Sequence, residues 1–206
     1  MISSSIKNII FDLGGVIINL DHTLVLNAFS RLSHKDPAFI LEQIQKSKIL
    51  FNYDTGECTD VMFRQTINHL LGTALTDAQV DEAWNAMLLD IPQERINLLL
   101  SLRKKYKLYL FSNTNHIHIL EVNKILKQST GIHQLDDLFD KIYYSFEIQH
   151  RKPAASSFKY VLQDSQLLPE ETLFIDDRLD NIMGAKQLGI HTVHIQAPIT
   201  LVDVFN

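Results

Sequence analysis

Five short apolar stretches along the chain predict the strands of one sheet. They are rich in Ile, Val, Leu and aromatic residues and contain few polar positions, which is typical of strands buried on both faces. Between the later stretches, apolar positions recur every three or four residues, and this spacing predicts helices. Strands that alternate with helices predict an α/β fold with a parallel, doubly wound sheet. The predicted strands are residues 6–11, 108–111, 142–145, 173–175 and 192–195.

Residues 21–91 break this alternation of strands and helices. They contain no convincing buried strand and several helix starts instead. Asp36 followed by Pro37 is typical of a helix N-terminus, and the spacing from Thr76 to Gln79 is that of a capping box. We therefore expect a small helical bundle here, inserted after the first strand.

The pattern divides the chain into two parts. Residues 1–20 and 92–206 carry the alternation of strands and helices, and we expect them to fold together as one body. Residues 21–91 form the helical insertion. Short connections at 19–21 and 90–92 are expected to act as hinges between the two parts.

Composition and charge exclude several classes of function. The 206 residues include 19 Lys and Arg against 24 Asp and Glu, a net charge of −5 at pH 7, without the basic blocks that nucleic-acid or membrane binding requires. Residues 1–8 offer too little apolar length for a signal peptide, and no stretch reaches the roughly 18 apolar residues of a membrane helix. The one cysteine, Cys58, cannot form an internal disulfide. We expect a cytoplasmic protein without a nucleic-acid or membrane partner.

Four of the five predicted strands are followed by reactive or hydrogen-bonding side chains. In open parallel sheets, ligands bind at the edge formed by the carboxyl ends of the strands. We therefore expect these side chains to meet on one rim of the sheet. They are Asp12 after the first strand, Ser112 and Asn113 after the second, Lys152 after the third, and Asp176 and Asp177 after the fourth.

This set of side chains fits phosphoryl transfer, in which positioning and charge neutralisation dominate. Asp12, presented on a Gly-Gly turn, is the candidate nucleophile, since a carboxylate can form an aspartyl phosphate. Three carboxylates on one rim repel one another unless a cation lies among them, and Mg²⁺ prefers such oxygen ligands. The Ser112 hydroxyl would donate to a phosphoryl oxygen, and Lys152 would supply positive charge.

Several of these residues also have a purely structural interpretation. Asp12, just after an apolar strand, has the position of a turn or cap residue. Asp176 with Asp177 would serve equally as caps of the following helix. Asp180 or Asn181 could fill that role too. Lys152, just before a proline, has the position of an exposed loop lysine. The order of all four groups along the chain favours the functional interpretation.

Four segments resemble, in order and spacing, the motifs of the haloacid dehalogenase superfamily, and the resemblance covers nearly the whole chain. They are Phe-Asp-Leu-Gly-Gly-Val, Ser-Asn-Thr-Asn, Arg-Lys-Pro and Phe-Ile-Asp-Asp-Arg-Leu-Asp-Asn-Ile-Met-Gly-Ala. The chain is most similar to capped bacterial members that act on α-D-glucose 1-phosphate. The resemblance implies a Rossmann-like, three-layer core of residues 1–20 and 92–206, with residues 21–91 as an inserted α-helical cap.

The resemblance also implies a role for each site residue. Asp12 would be the nucleophile, and Lys152 would stabilise charge. Ser112 and Asn113 would bind phosphate. The ligands of a Mg²⁺ cofactor would be Asp12, the backbone carbonyl of Gly14, and Asp177, with Asp176 in support.

Position 14 departs from the pattern of this superfamily. Most of its phosphatases carry a second aspartate there, which protonates the leaving alcohol, and this chain has Gly14. General acid catalysis contributes roughly 10²–10⁴-fold, so we expect slow turnover, esters with good leaving groups, or an acid from the cap. His116, near the second motif, is a further candidate for the missing acid. A loop at 53–57, which contains Gly56 and Glu57, either approaches the substrate or joins two helices.

The sequence thus predicts a Mg²⁺-dependent phosphoric monoester hydrolase that cleaves a small phosphorylated metabolite, a sugar phosphate before others, through an aspartyl phosphate. One alternative is a metal-independent haloacid dehalogenase, which Asp176 and Asp177 disfavour because no cation would offset their charge. A second alternative is a weakly active or inactive phosphometabolite-binding module, in which Gly14 marks a lost acid. A sugar-phosphate mutase ranks lower, since mutases rely on the missing aspartate.

Overall fold

The structure of the protein, a computed structural model, describes residues 3–205. These residues form one parallel sheet of five strands: β1 (Asn8–Phe11), β2 (Lys107–Ser112), β3 (Lys141–Tyr144), β4 (Thr172–Asp176) and β5 (His191–His194). Across the sheet their order is β3-β2-β1-β4-β5, with every neighbouring pair parallel. The predicted α/β fold on a parallel sheet is confirmed.

Helices follow each of the five strands. The first group follows β1 and consists of α1 (Thr23–Ser33), α2 (Pro37–Ser47), α3 (Ile49–Asp54), α4 (Asp60–Leu71) and α5 (Asp77–Asn85). The others are α6 (Gln93–Leu102), α7 (His116–Thr130), α8 (Ser145–Ile148), α9 (Ala155–Asp164), α10 (Leu179–Lys186) and α11 (Leu201–Phe205). Within residues 3–205, none of them has the length and apolar character that a bilayer crossing requires.

Apolar clusters cover both faces of the sheet. Along β1, Ile9 and Phe11 belong to one cluster, and Ile10 between them belongs to another. Because successive side chains of a strand point to opposite faces, the two clusters lie on opposite sides. The first cluster includes residues of α6 and α7, and the second includes residues of α9 and α10. The core therefore has three layers, as expected.

The outer strands are less buried than expected. The prediction that every strand is buried on both faces is wrong for β5, whose residues are exposed or half-buried, and for the first half of β3. Both strands lie at edges of the sheet. An edge strand has a neighbour on one side only, so fewer of its side chains are covered.

The helices α1–α5 pack on one another around an apolar cluster of their own. Within it, the ring of Phe63 lies 4.4 Å from that of Tyr53 and 5.0 Å from that of Trp84, measured between centroids. Helices thus occupy this stretch as predicted. The role of residues 21–91 as a cap domain stays a prediction.

Local signals placed two of these helix starts correctly. Asp36 accepts a hydrogen bond from the Ala38 N–H at 2.8 Å. Thr76 accepts one from the Gln79 N–H at 3.3 Å, and the Gln79 side chain accepts one from the Thr76 N–H at 2.9 Å. Each bond satisfies a backbone donor that has no partner within its helix.

The two connections to the helical insertion run side by side. The Asn19 N–H donates to the Asp90 carbonyl, and the Leu89 N–H donates to the Asn19 carbonyl, both at 3.0 Å. Leu20 and Leu88 form an antiparallel bridge next to these bonds. The chain therefore leaves the sheet and returns to it at neighbouring points. The action of these connections as hinges stays a prediction.

Candidate active site

The carboxyl ends of β1, β2 and β4 meet beside a cavity of about 300 Å³. They share one edge because Phe11 of β1 lies in register with Leu110 of β2 and Ile175 of β4. Six predicted site residues line the cavity: Asp12, Gly14, Ser112, Asn113, Lys152 and Asp177. The seventh, Asp176, is fully buried and contacts Lys152. The structure therefore brings the whole predicted set together.

Lys152 joins two of the carboxylates. Its Nζ lies 2.9 Å from Asp12 Oδ1 and 2.7 Å from Asp176 Oδ2, and its side chain is fully buried. The rings of Phe111 and Phe174 lie 5.3 Å from the same nitrogen. Burial alone would lower the pKa of Lys152, but Asp12 and Asp176 raise it above its ordinary value. The lysine is therefore charged, and it is not the exposed loop residue of the structural interpretation.

Asp12 is the carboxylate that directly follows β1. Its Oδ1 accepts a hydrogen bond from the Leu13 N–H at 2.7 Å in addition to the contact with Lys152. Burial raises the pKa of Asp12 to about 7, because Lys152 offsets only part of that effect and the charge of Asp176 adds to it. Only the ionised carboxylate is nucleophilic. A further positive charge near Asp12 would lower its pKa and keep it ionised at neutral pH.

Asp176 is surrounded by hydrogen-bond donors. Besides Lys152, it accepts from the Arg178 N–H at 2.8 Å and from Asn181, whose Nδ2 lies 3.0 Å from both carboxylate oxygens. Asn181 therefore orients Asp176. The N-cap residue of α10, Arg178, makes no side-chain cap. Asp180 Oδ1 accepts from the Asn181 N–H at 2.9 Å in the first turn, whereas among the described residues neither Asp176 nor Asp177 accepts from a backbone N–H within α10.

Three carboxylates form a possible metal centre. Asp12, Asp176 and Asp177 offer oxygen atoms within 4.8 Å of one another. Lys152 contacts the first two, so the cluster carries more negative than positive charge. Burial and the charge of Asp176 also raise the pKa of Asp177. This donor set fits a hard divalent cation, which would restore the balance of charge.

The turn after Asp12 has little free space. Gly15 has a φ of +68°, and a Cβ there would lie 2.5 Å from Asp177 Oδ2, so this position requires glycine. A Cβ on Gly14 would lie 2.5 Å from Cδ1 of Leu20, in the connection to the insertion. The Leu20 side chain thus fills the space in which an aspartate at position 14 would begin.

Asn113 fixes the backbone of the lysine loop. Its Nδ2 donates to the Lys152 carbonyl at 2.8 Å, and its Oδ1 accepts from the Lys152 N–H at 2.9 Å. Ser112, at the end of β2, has no such engagement with that loop in the part of the chain described. Direct contact of either residue with phosphate stays a prediction.

Further residues line the same cavity without having been assigned to the site from the sequence. Asp54, at the end of α3, pairs with Arg151, whose Nη2 lies 3.3 Å from Asp54 Oδ2. Arg151 directly precedes Lys152 in the sequence, and this position is the signal from which Arg151 could have been assigned to the site. The complete additional set is Leu20, His22, Asp54, Met87, Arg151, Pro153, Arg178, Asp180 and Asn181.

His116 lies at a different cavity, of about 380 Å³. Its Nδ1 lies 2.7 Å from Asp60 Oδ2, and it does not line the cavity that contains Asp12, so the structure does not bring this candidate for the missing acid to the site. Gly56 lines that second cavity too, and a Cβ there would lie 2.2 Å from the Phe146 carbonyl oxygen. The loop at 53–57 therefore joins α3 to α4 against α8, and only Asp54 of this loop lines the first cavity.

Comparison with known proteins identifies the family of this chain. The family of haloacid dehalogenase-like hydrolases matches residues 6–189. The chain belongs to this family. The resemblance inferred from the four motifs is therefore confirmed, and the carboxylate cluster described above is the candidate active site of a haloacid dehalogenase-like hydrolase.

Several relatives match this hydrolase along nearly their whole length. D-Ribitol-5-phosphate phosphatase from Bacteroides thetaiotaomicron is 35% identical over 187 residues, 91% of this chain and 90% of that protein. A family enzyme from the same organism, solved with magnesium and inorganic phosphate, is 39% identical with a TM-score of 0.90 over 98% of this chain and 100% of that chain. A predicted hydrolase of the family from Porphyromonas gingivalis is 32% identical with a TM-score of 0.88, over 98% and 97% of the two chains.

Proposed function

We propose that this hydrolase is a magnesium-dependent phosphatase of small phosphorylated metabolites, sugar and polyol phosphates foremost, in which Asp12 attacks phosphorus. The main observation in support is one buried ammonium group, that of Lys152, in contact with Asp12 at 2.9 Å and with Asp176 at 2.7 Å. The similarity to D-ribitol-5-phosphate phosphatase supports the substrate class.

We assign the Mg²⁺ ligands to Asp12, Asp177 and the backbone carbonyl of Gly14, with Asp176 in support. When bound, Mg²⁺ neutralises negative charge on the carboxylates and on the phosphate group. The relative solved with magnesium and inorganic phosphate supports this assignment. With the cluster neutralised, Asp12 is ionised at neutral pH, as its attack requires.

In the proposed reaction, a carboxylate oxygen of Asp12 attacks phosphorus and the alcohol departs, which leaves an aspartyl phosphate. Lys152 stabilises the negative charge around Asp12, and the Ser112 hydroxyl donates to a phosphoryl oxygen. Asn113 holds the loop of Lys152 in place and contributes to phosphate binding. Water then attacks the aspartyl phosphate and regenerates Asp12.

We further propose that residues 21–91 act as the cap over a core of residues 1–20 and 92–206. The insertion contributes His22, Asp54 and Met87 to the cavity that contains the site. Closure of such a cap excludes water and selects among substrates. A cavity of about 300 Å³ suits a small phosphate ester.

The metal-independent dehalogenase is disfavoured, because it would leave the three-carboxylate cluster with Lys152 as its only directly bound cation among the described residues. A cytoplasmic location remains part of the proposal. It is supported by Cys58, which is buried and free of a disulfide.

Hydrolysis of p-nitrophenyl phosphate and D-ribitol 5-phosphate, with Mg²⁺ or with EDTA, tests this function. We expect turnover with Mg²⁺ only. Asp12→Asn removes the nucleophile with little change of shape and should lower kcat roughly 10³-fold or more. Asp136→Asn, at an exposed aspartate that does not line the cavity, is the matched control.

Full activity of Asp12→Asn would refute the proposed mechanism. A wild-type protein that binds Mg²⁺ and phosphate but turns over no ester would favour the phosphometabolite-binding module instead.

A further inference from the structure

The proposed reaction needs a proton for the alcohol that leaves phosphorus. An alkoxide is a poor leaving group, and a positioned acid speeds its departure by roughly 10²–10⁴-fold. Gly14 cannot supply the proton, and the side chain of Leu20 occupies the adjacent space. The donor therefore has to come from another part of the cavity wall.

We propose that the carboxyl group of Asp54 protonates the leaving alcohol oxygen, an inference that rests on the proposed phosphatase function. Asp54 is the last residue of α3 and lines the same cavity as Asp12, Ser112 and Lys152. In an in-line displacement, the leaving oxygen lies on the side of phosphorus away from the nucleophile. An acid carried by the helical insertion, separate from the sheet rim that carries Asp12, suits that arrangement.

The surroundings of Asp54 favour a proton donor. Its side chain is 18% exposed, and Arg151 Nη2 lies 3.3 Å from its Oδ2. Burial raises the pKa of Asp54 to about 7, against the lowering effects of Arg151 and Asn115. A large fraction of Asp54 therefore carries a proton near neutral pH, and an acid with a pKa near the working pH is the most effective. Arg151 fixes the direction of the carboxyl group.

Other ionisable groups on the cavity wall suit this role less well. Asp12 and Asp177 are assigned as nucleophile and metal ligand. Asp180 Oδ2 lies 2.7 Å from Arg178 Nη2, and its hydrogen bond with Arg178 lowers the pKa of Asp180, so Asp180 is an anion. Lys152 is bound to two carboxylates. His22, which is exposed just before α1, is the remaining competitor.

The proton balance closes over one cycle. As Asp12 forms its bond to phosphorus, the bond from phosphorus to the alcohol oxygen breaks, and the Asp54 proton moves to that oxygen. Asp54 is then a carboxylate. Water then attacks the phosphorus of the aspartyl phosphate, the bond from Asp12 to phosphorus breaks, and inorganic phosphate and one proton leave to solvent. Asp54 takes up one proton from solvent. Asp54 is again protonated and Asp12 is again free.

Leaving groups of different basicity test this proposal. p-Nitrophenolate departs as a stable anion and needs no acid, whereas the alkoxide of D-ribitol 5-phosphate does. Asp54→Asn keeps an oxygen acceptor for Arg151 but has no proton to transfer. We expect its kcat on D-ribitol 5-phosphate to fall roughly 10²-fold or more, with less than about a threefold change on p-nitrophenyl phosphate. Glu57→Gln, at an exposed position outside the cavity, should change neither rate.

The ratio of the two rates is measured on one protein sample, so partial misfolding of Asp54→Asn cannot imitate the expected result. Equal losses on both substrates, or no loss on either, would overturn the role of Asp54. The selective loss in His22→Gln, with none in Asp54→Asn, would assign the acid to His22. If the wild-type protein hydrolyses neither ester, the phosphatase function itself fails, and this inference fails with it.

Discussion

Around Asp12, the distances between individual atoms decide which side chains the chain tolerates. Gly15 combines a φ of +68° with a close approach to Asp177, whose Oδ2 would lie 2.5 Å from a Cβ. Gly72, at the end of α4, has a φ of +63° with no atom within 4 Å of a Cβ. The two glycines share a backbone conformation and differ in their surroundings. A comparison of the same substitution at both positions therefore distinguishes the effect of backbone strain from the effect of the contact with Asp177.

Gly15→Ala should therefore lower the unfolding free energy more than Gly72→Ala does. Both substitutions force alanine into the left-handed region, at about 1–2 kcal/mol of unfolding free energy. Gly15→Ala should additionally displace the Asp177 carboxylate and weaken Mg²⁺ binding. Urea unfolding and calorimetric titration with Mg²⁺ measure the two effects. Equal stability and equal Mg²⁺ affinity of the two variants would contradict the importance of the contact with Asp177.

Sequence reasoning found the residues whose position depends on the sheet alone. Asp12, Ser112 and Asp176 follow strands, and parallel strands bring their carboxyl ends to one edge. It placed Asp54 only within a loop that either approaches the substrate or joins two helices, and it considered Asn181 only as a helix cap. Their contribution depends on how helices pack beside that edge, and no local pattern along the chain encodes the result. The assignment of catalytic roles to these residues stays a prediction.

At the scale of single elements, the starts of α2 and α5 could be predicted from the sequence because their signals are local. Asp36 and Thr76 each accept a hydrogen bond from an N–H two or three residues later, as their spacing predicted. The partial exposure of β5 was not predicted from the sequence. The sequence of β5, His-Thr-Val-His, contains one apolar residue, but its place at the edge follows from the order of strands, which the strand's own residues do not specify.

Thr76→Ala tests the contribution of the capping box to α5. The substitution removes the acceptor of the Gln79 N–H, so the unfolding free energy should fall by about 1 kcal/mol. Urea unfolding followed by circular dichroism provides the measurement. Gln65→Ala, at an exposed position within α4, should change it by less than about 0.5 kcal/mol. Identical unfolding midpoints for wild type and Thr76→Ala would show that the box contributes nothing.

At the scale of the whole molecule, α7 joins the helical insertion to the sheet. His118 of α7 stacks on Trp84 of α5 with ring centroids 4.7 Å apart, and its Nδ1 lies 2.9 Å from Asn85 Oδ1. Trp84 Nε1 in turn donates to Asn115 at 3.3 Å. Burial lowers the pKa of His118 to about 3. The interface is therefore built around a neutral histidine.

This histidine should make stability depend on pH. The pKa of His118 is about 3 in the folded state and about 6.5 when exposed, so below pH 6.5 only the unfolded chain takes up the proton. Its contribution to stability is complete above pH 6.5 and falls by up to about 1.4 kcal/mol per pH unit towards pH 3. His118→Gln should remove that slope in urea unfolding series between pH 6.5 and 4. The same change at exposed His69 should keep it, and an unchanged slope in His118→Gln would refute the argument.

The paired connections at Asn19–Asp90 and Leu20–Leu88 have a consequence for how such a chain can vary. Because the ends of the insertion lie side by side, the insertion closes on itself, and the strand register requires of it that the two ends remain adjacent. The contact of Trp84 with His118 adds a second condition, a surface that covers α7. A grafted segment of another length or fold that meets these two conditions would fit as well. The helical insertion can thus be exchanged without disturbing the strand register that assembles Asp12, Lys152 and Asp176.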